Sequence, residues 1–246
     1  MGKNLDIFGK ALRDHYLNQG NEMLQINIEG QESYRLPLSI FFRPADYYAI
    51  DRLALSLCCG RILDIGAGAG EHSLFLQKHR RDVTALDISP LACEVMHWRG
   101  VNRVINADIF SARFDAEFDT WLLLGRSIGA VGSLPMLSCF LSLAHQYLSA
   151  NGRLILNSTN GTTNLTTIRK LSFAYNGETD ETVSWLDIDQ DTLRHQGEIY
   201  GLSTEILHKE DDGNYLAILK KTAMTISPGN EDAGKPSRMI PLPRSA

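Results

Sequence analysis

Three glycines at alternate positions, Gly66, Gly68 and Gly70, constrain this chain more than any other feature. They sit in residues 61–77, RILDIGAGAGEHSLFLQ. Before them runs a short apolar stretch, Ile62, Leu63 and Ile65, interrupted by Asp64. After them Leu74 and Phe75 are followed by Lys78 and His79 at helical spacing. The order is strand, glycine turn, helix. Glycine permits backbone angles that a Cβ forbids. It also lets a ligand lie against bare main chain at a helix N-terminus, where unpaired N–H groups point outward. The bland alternative is a glycine-rich turn that holds no ligand.

The flanking sequence extends the pattern. Residues 83–87, 103–106, 118–124 and 153–157 read as strands alternating with helices. Ser89 is a good helix cap with Pro90 in first position, and Gly100 ends that helix. A helix over 134–148 stops at Asn151-Gly152. Such alternation argues for an α/β doubly wound, mostly parallel sheet with right-handed crossovers. Sheets of this kind bind ligands beyond the carboxyl ends of their strands. After residue 158 the rhythm changes. A helix is expected near 165–173, then a strand over 182–188 and a short helix opened by Asp191 and ended at Gly197. Two alternating runs, 199–209 and 215–225, are joined by Asp211-Asp212-Gly213, a hairpin turn. The expected total is a seven-stranded sheet closed by an antiparallel C-terminal hairpin.

Ahead of Gly60, residues 6–17 space Ile7, Leu12 and Tyr16 as an amphipathic helix, and 23–28 can form a strand. The aromatic-rich LPLSIFFRPADYY leads to a helix expected to start at Ala45, with Pro44 at its first turn and Gly60 at its end. The domain reading is therefore a helical lid over 1–59, a ligand-binding domain over 60–226 and an unstructured polar, proline-rich tail over 227–246.

At 246 residues the chain suffices for one such domain with an added lid. Its net charge of -5 gives no pull toward nucleic acid or anionic membrane. No apolar run approaches the roughly 20 residues of a membrane span, and MGKNLDIFGK lacks a signal-peptide core. A cytoplasmic location is expected. Cys58, Cys59, Cys93 and Cys139 form no C-x-x-C pair and no histidine stands at zinc spacing, so no metal is expected.

The glycine spacing discriminates between ligands. A dinucleotide fingerprint wants G-x-G-x-x-G, and Glu71 occupies the position of its third glycine. The G-x-G-x-G found here, with Asp64 two residues ahead, resembles motif I of class I S-adenosylmethionine (SAM)-dependent methyltransferases, whose fold is Rossmann-like. Asp87 ends the second strand about 20 residues on, where an acid accepts hydrogen bonds from a ribose diol. It could equally serve the Ser89 helix as a capping partner. The resemblance implies an adenine site at Asp108 and Ile109 after the third strand, with Ile88 on the opposite face of the ring. It implies cofactor contacts from Asp64, Gly66, Ala67, Gly68, Gly70 and Gly125, the acid also binding glycine-loop amides. Phe118-Asp119-Thr120 before LLLG and Asn151-Gly152-Arg153 before LILN are similar to the family's fourth and fifth strands, and the closing hairpin to its reversed seventh strand.

FFRPADYYAIDRLAL, DISPLACEVMHWRGV and LLLGRSIGAVGSL look like a bacterial group of small-molecule-type methyltransferases. Where that group more often reads Met-Asn before Gly-Ile-Gly, this chain has Gly125-Arg126-Ser127. Acceptor-side candidates are Arg126, Ser127, Arg43 and Tyr47, joined by Asn157 and Ser158 at the end of the fifth strand and by Trp185, which either walls the acceptor pocket or packs in the core. His15 would enter the site if its helix is a lid. Methyl transfer needs an in-line nucleophile more than a dedicated acid or base, so no catalytic residue is assigned. The leading expectation is a SAM-dependent enzyme with a small-molecule acceptor, binding neither nucleic acid nor membrane, with a homodimer left open. The alternatives are a peptide or protein methyltransferase, a SAM-binding module without catalysis, and an NAD-dependent oxidoreductase.

Overall fold

A computed structural model describes residues 6–160 and 165–222. In chain order the elements are α1 (Ile7–Asn18), β1 (Met23–Ile28), β2 (Tyr34–Pro37), a 3-10 turn (Leu38–Phe42), α2 (Ala49–Leu57), β3 (Arg61–Ile65), α3 (Glu71–Lys78), β4 (Asp82–Asp87), α4 (Pro90–Trp98), β5 (Val104–Asn106) and β6 (Phe118–Leu123). A second 3-10 turn (Ser127–Val131) leads to α5 (Leu134–Tyr147), β7 (Leu148–Thr159), β8 (Thr167–Tyr175), β9 (Glu178–Thr179), β10 (Val183–Asp187), α6 (Gln190–Ile199), β11 (Leu202–Lys209) and β12 (Asn214–Lys221).

The main sheet has seven strands in the order β11-β12-β7-β6-β3-β4-β5. The pairs β3–β4, β3–β6, β4–β5 and β6–β7 are parallel, whereas β12 runs against both its neighbours. The chain winds outward from β3 through β4 and β5, then returns to the other side of β3 at β6. That reversal opens a crevice at the carboxyl ends of β3 and β6. Adjacent residues in the central strands bury opposite faces. Leu63, Trp121, Leu123, Leu154 and Leu156 meet Leu137, Phe140 and Leu141 of α5. Ile62, Leu122, Ile155 and Ile218 meet Ile50, Ala54 and Leu55 of α2 and Leu76 of α3. Burial on both faces is why these strands read as continuous apolar runs rather than alternating ones.

A second, antiparallel sheet orders β10-β8-β1-β2, with β9 hairpinned onto β8. Its central pairing sets Gln25 opposite Ala174 and Ile28 opposite Leu171. The segment before residue 60 thus contributes strands as well as helices, and it shares a sheet with residues that follow β7. Helix α1 packs Ile7, Ala11 and Leu12 against Leu24 and Tyr175 of this sheet and against Ala92 and Val95 of α4.

Several sequence expectations change here. The helix expected at 165–173 is strand β8. Leu165, Ile168 and Leu171 are three apart and mimic helical spacing, but Leu171, Phe173 and Tyr175 alternate toward the core, and two strands stand ready to pair on either side. Helix α2 begins at Ala49, not Ala45, because Pro44 and Tyr47 close a turn first (Tyr47 N–H to Pro44 O, 3.0 Å). Asn151-Gly152 lies inside an irregular start of β7, whose pairing to β6 shifts register between Phe118 and Thr120. Asp189, not Asp191, caps α6, accepting from Asp191 N–H and Thr192 N–H. The tail at 227–246 lies outside the described residues.

Candidate cofactor and acceptor site

β3 ends in a loop that the neighbouring strand holds. Gly66 N–H and Ala67 N–H both donate to Leu86 O, at 2.8 and 3.2 Å. Gly66, Gly68 and Gly70 all adopt positive φ, +69°, +56° and +83°, where a side chain would be strained. Gly70 has a second reason, since a Cβ there would lie 2.9 Å from Met96 and 3.0 Å from Val101. Gly68 N–H donates to Asp87 Oδ2 (2.8 Å), and Ser89 N–H to Asp87 Oδ1 (2.9 Å). Asp87 therefore makes the glycine-loop contact expected of Asp64, and it also serves the Ser89 helix. Each of its oxygens keeps a lone pair for a ligand hydroxyl.

Asp64 sits one layer deeper. It is 2 % exposed and accepts from Ser73 Oγ (2.7 Å). Burial raises the pKa of both acids. The charge of His72 and the Ser73 hydrogen bonds oppose the rise at Asp64, and the Ser89 and Gly68 amides oppose it at Asp87. Glu71 turns away from the loop to Arg99 (2.5 Å), whose other nitrogen donates to Ala69 O (2.6 Å). The acid that breaks the dinucleotide fingerprint thus pins the loop to the end of α4.

Beyond β4, Ile88 is 66 % exposed. Asn106 fixes it there by donating through Nδ2 to Asp87 O and Ile88 O (3.1 and 3.0 Å). Asp108 is exposed and accepts from Phe110 N–H (3.0 Å), while Ile109 is half-buried against the core. Ile88 and Ile109 offer apolar side chains against which a ligand ring could pack.

On the other side of the crevice, Gly125 and Arg126 both have positive φ, +69° and +60°. Asn157 Oδ1 holds the bend by accepting from Arg126 N–H (2.9 Å), and Asn157 Nδ2 donates to Asn214 Oδ1 (3.1 Å). The Arg126 guanidinium reaches Asp212 (3.0 Å). Ser127 Oγ lies 3.4 Å from Ile65 O, and its Cβ would be 3.1 Å from a Cβ on Gly66. Ser127 therefore faces the glycine loop directly. Ser158 Oγ accepts from Ile188 N–H (3.2 Å), which ties the end of β7 to the residue after β10.

The lid candidates divide. Arg43 donates to Asp51 Oδ2 and Ile40 O (both 2.7 Å) and lies over the Tyr48 ring at 4.5 Å. Asp51 is buried, and His72 Nε2 approaches it to 3.8 Å. Tyr47 is exposed, edge-on to Tyr48. His15 does not enter the crevice; it pairs with Glu22 (2.8 Å) and packs on Phe42. Phe8, which the sequence reading passed over, comes within 4.0 Å of where a Gly68 Cβ would stand and meets Phe41 and Phe173 at 5.1 and 5.7 Å between ring centroids. Its helical period made it apolar, but nothing local tied residue 8 to residue 68.

A family profile described as a methyltransferase domain matches residues 63–156, which run from β3 to β7 and include both sides of the crevice. The chain is also similar to a SAM-dependent methyltransferase from Bacteroides fragilis solved in complex with S-adenosyl-L-homocysteine. The identity is 29 % over 91 % of this chain and 98 % of that one, with a TM-score of 0.84. The chain carries a class I SAM-dependent methyltransferase domain. Its fold is shared more distantly by an amino pentose methyltransferase from Micromonospora echinaspora (17 % identity, 70 % of this chain, 88 % of that one, TM-score 0.54). A sugar N-methyltransferase from Streptoalloteichus shares it too (14 % identity, 74 % and 88 %, TM-score 0.56). No curated protein sequence matches it.

The side chains of this methyltransferase domain suit SAM. Bare main chain at the glycine loop, an acid with spare lone pairs at the end of β4 and an exposed isoleucine beyond it lie in sequence along one edge and could hold the amino-acid end, the ribose and the ring of that cofactor.

Proposed function

We propose that the protein transfers a methyl group from SAM to an oxygen or nitrogen of a small molecule bound between the main sheet and the second sheet. The observation that carries this reading is the roof. Strands from the N-terminal segment and from residues 167–187, with helix α1, lie over the glycine loop and the turn after β6, with Phe8 near Gly68 and Trp185 on Gly129, and a covered mouth suits a small acceptor better than a broad chain.

Bound there, SAM would supply a methyl on a cationic sulfonium whose bonding electrons return to sulfur as the acceptor's lone pair takes the carbon. The chain's own residues do the rest by positioning. Asp87 would accept from the ribose hydroxyls while its other lone pairs keep the Gly68 and Ser89 amides in place. Ile88 and Ile109 would flank the adenine, and Asp108 would accept from its amine. Ser127 borders the methionine end. Phe8 and Phe173 exclude water from the mouth. The distant structural relatives described as an amino pentose methyltransferase and a sugar N-methyltransferase support a small acceptor.

Calorimetric titration with S-adenosylhomocysteine, SAM and NAD in parallel tests the cofactor. Binding of the adenosyl ligands and silence from NAD is expected; NAD binding alone would overturn the reading. Release of S-adenosylhomocysteine in the presence of small phenols, amines and sugars, compared with peptide and RNA, then tests the acceptor size.

A further inference from the structure

We infer that the outer side of the α2–α3 pair carries a second ligand site, for a small free anion with an apolar body, such as an aryl or acyl phosphate. It is independent of the methyl-transfer reading above.

A cleft of about 300 Å³ lies between α2, the end of α3 and the residue before β4. Leu55 and Leu76, both buried, and half-buried Phe75 give it an apolar floor. Its rim is basic. Arg52 donates through Nη1 to Asp46 O and Tyr47 O (3.0 and 2.9 Å), which anchors the guanidinium, and Nη2 has no partner among the described residues. His79 Nδ1 lies 2.8 Å from Phe75 O and must carry the proton of that bond, because a carbonyl only accepts. Its ring rests on Phe75 at 4.2 Å between centroids. Arg81 is exposed and has no carboxylate partner among the described residues, nor do its neighbours Lys78 and Arg80. Asp46 is the one acid lining the cleft among the described residues.

Elsewhere the arginines meet acids: Arg43 with Asp51, Arg99 with Glu71, Arg103 with Asp82 and Arg169 with Asp187. In a chain with 29 acidic and 24 basic residues, a group of unpaired cations over an apolar floor stands out. The backbone adds a second observation. Arg80 N–H donates to Gln77 O and Arg81 N–H to Leu76 O (both 2.9 Å), closing α3 in the way that usually puts glycine at the left-handed position. Here that position holds Arg80, at φ +58°, an uncommon conformation for a residue with a Cβ. A cation near a helix C-terminus gains from the dipole, but that gain requires neither a left-handed arginine nor the apolar cleft beside it. An anion would pair with Arg81 and Arg52 while its body covers Leu55, Phe75 and Leu76. The apolar residues are recessed, so nothing projects to enter a bilayer, and a free molecule fits better than a lipid surface. The 8 residues of α3, about 12 Å of helix, separate the cleft from the glycine loop.

The test titrates the full chain calorimetrically with 1-naphthyl phosphate, 1-naphthol and inorganic phosphate, each with and without excess S-adenosylhomocysteine. The naphthyl phosphate is expected to bind about ten-fold tighter than either half of it, with or without the adenosyl ligand. Arg81→Gln, an exposed change that leaves the fold intact, should weaken it about ten-fold, and Asp46→Asn should tighten it about three-fold by removing the one repelling charge. Opposite signs from two surface substitutions are what a ligand site produces and a structural role does not. Loss of binding in excess S-adenosylhomocysteine would place the anion in the cofactor crevice instead and overturn the proposal. So would naphthol binding as tightly as its phosphate, or an affinity unmoved by Arg81→Gln and Asp46→Asn. Sedimentation of the protein with phosphatidylglycerol vesicles while naphthyl phosphate stays silent would assign the basic rim to a lipid surface and overturn it equally.

Discussion

The cofactor edge and the roof above it are built in opposite ways. At the cofactor edge the acids find their partners nearby in sequence or on an adjacent strand: Gly68 meets Asp87, Asp87 meets Ser89, Asp64 meets Ser73. Residues 64–89 close the whole arrangement within one βαβ unit. The roof joins β1 to β8 and hangs Phe8 over Gly68, contacts between segments far apart in the chain. The first region is held by hydrogen bonds to buried carboxylates, the second by an apolar sheet face and a few capping bonds at its margins. A local, hydrogen-bonded site holds one ligand geometry, whereas a non-local apolar cover can change its side chains without disturbing the edge beneath it. This division lets one fold keep a cofactor while varying its acceptor.

The sharpest break of the comparison is Asp87→Ala. It removes the ribose anchor and the support of the Gly68 amide together, so S-adenosylhomocysteine affinity should fall about 100-fold by calorimetry. A fall under about three-fold would mean that the cofactor edge does not depend on this acid. The next effect belongs to the seam between roof and main fold. At Asp189, burial raises the carboxyl pKa, but hydrogen bonds from Thr166, Thr192 and the Asp191 amide outweigh it and hold the value down at about 2, against 3.8 for the free group. A depressed pKa stabilises the fold fully above the free value and loses that contribution as pH falls toward about 2. Asp189→Asn should therefore cost up to about 2 kcal/mol at pH 7 and flatten the acid limb of the stability profile between roughly pH 4 and 2. Asp64 and Asp87 act with the opposite sign, because burial raises their pKa and their ionisation opposes folding as pH rises.

A smaller effect tests how α1 is latched. Asp6 accepts from Gly9 N–H (3.1 Å) at the start of α1 and from Ser89 Oγ (2.8 Å) at the start of α4, and Asp180 accepts from Ile7 N–H (3.2 Å). Asp6→Ala should cost about 1 kcal/mol, seen as faster hydrogen exchange over α1 with β3 and β6 unchanged. Equal acceleration in both would show that roof and edge open as one. Smallest of all, Asp212→Asn removes the exposed ion pair to Arg126 while keeping a side-chain oxygen for the Asn214 N–H (2.9 Å), and should shift stability by less than about 0.5 kcal/mol in a denaturant titration.

Much of the cofactor edge was legible in the sequence because its signals are local. Glycines at fixed spacing, an acid at the end of the second strand and Ser89-Pro90 at a helix start each carry their meaning within a few residues. Even so, Asp87 makes the loop-amide contact expected of Asp64, since a spacing says which acid is near the loop but not which one the pleat turns toward the amides. Asp64 shares its face of β3 with Ile62 and so points under α3 toward Ser73. The roof was hardly legible. Residues 165–173 look helical by spacing, and 167–175 form a strand only because β1 and β10 supply the missing hydrogen bonds. Strand pairing depends on which edge is available, and that is a property of the assembled chain.

The sequence by itself determined the alternation of strand and helix, the glycine loop and the hairpin that closes the main sheet, because propensity, capping and turn chemistry act over a few residues. Only the tertiary structure decided that the N-terminal segment and residues 167–187 share one sheet, that Phe8 covers Gly68 and that Trp185 stands on Gly129. Those contacts repay their loop-closure entropy only once the main sheet has brought distant segments together, and no short window of sequence encodes them.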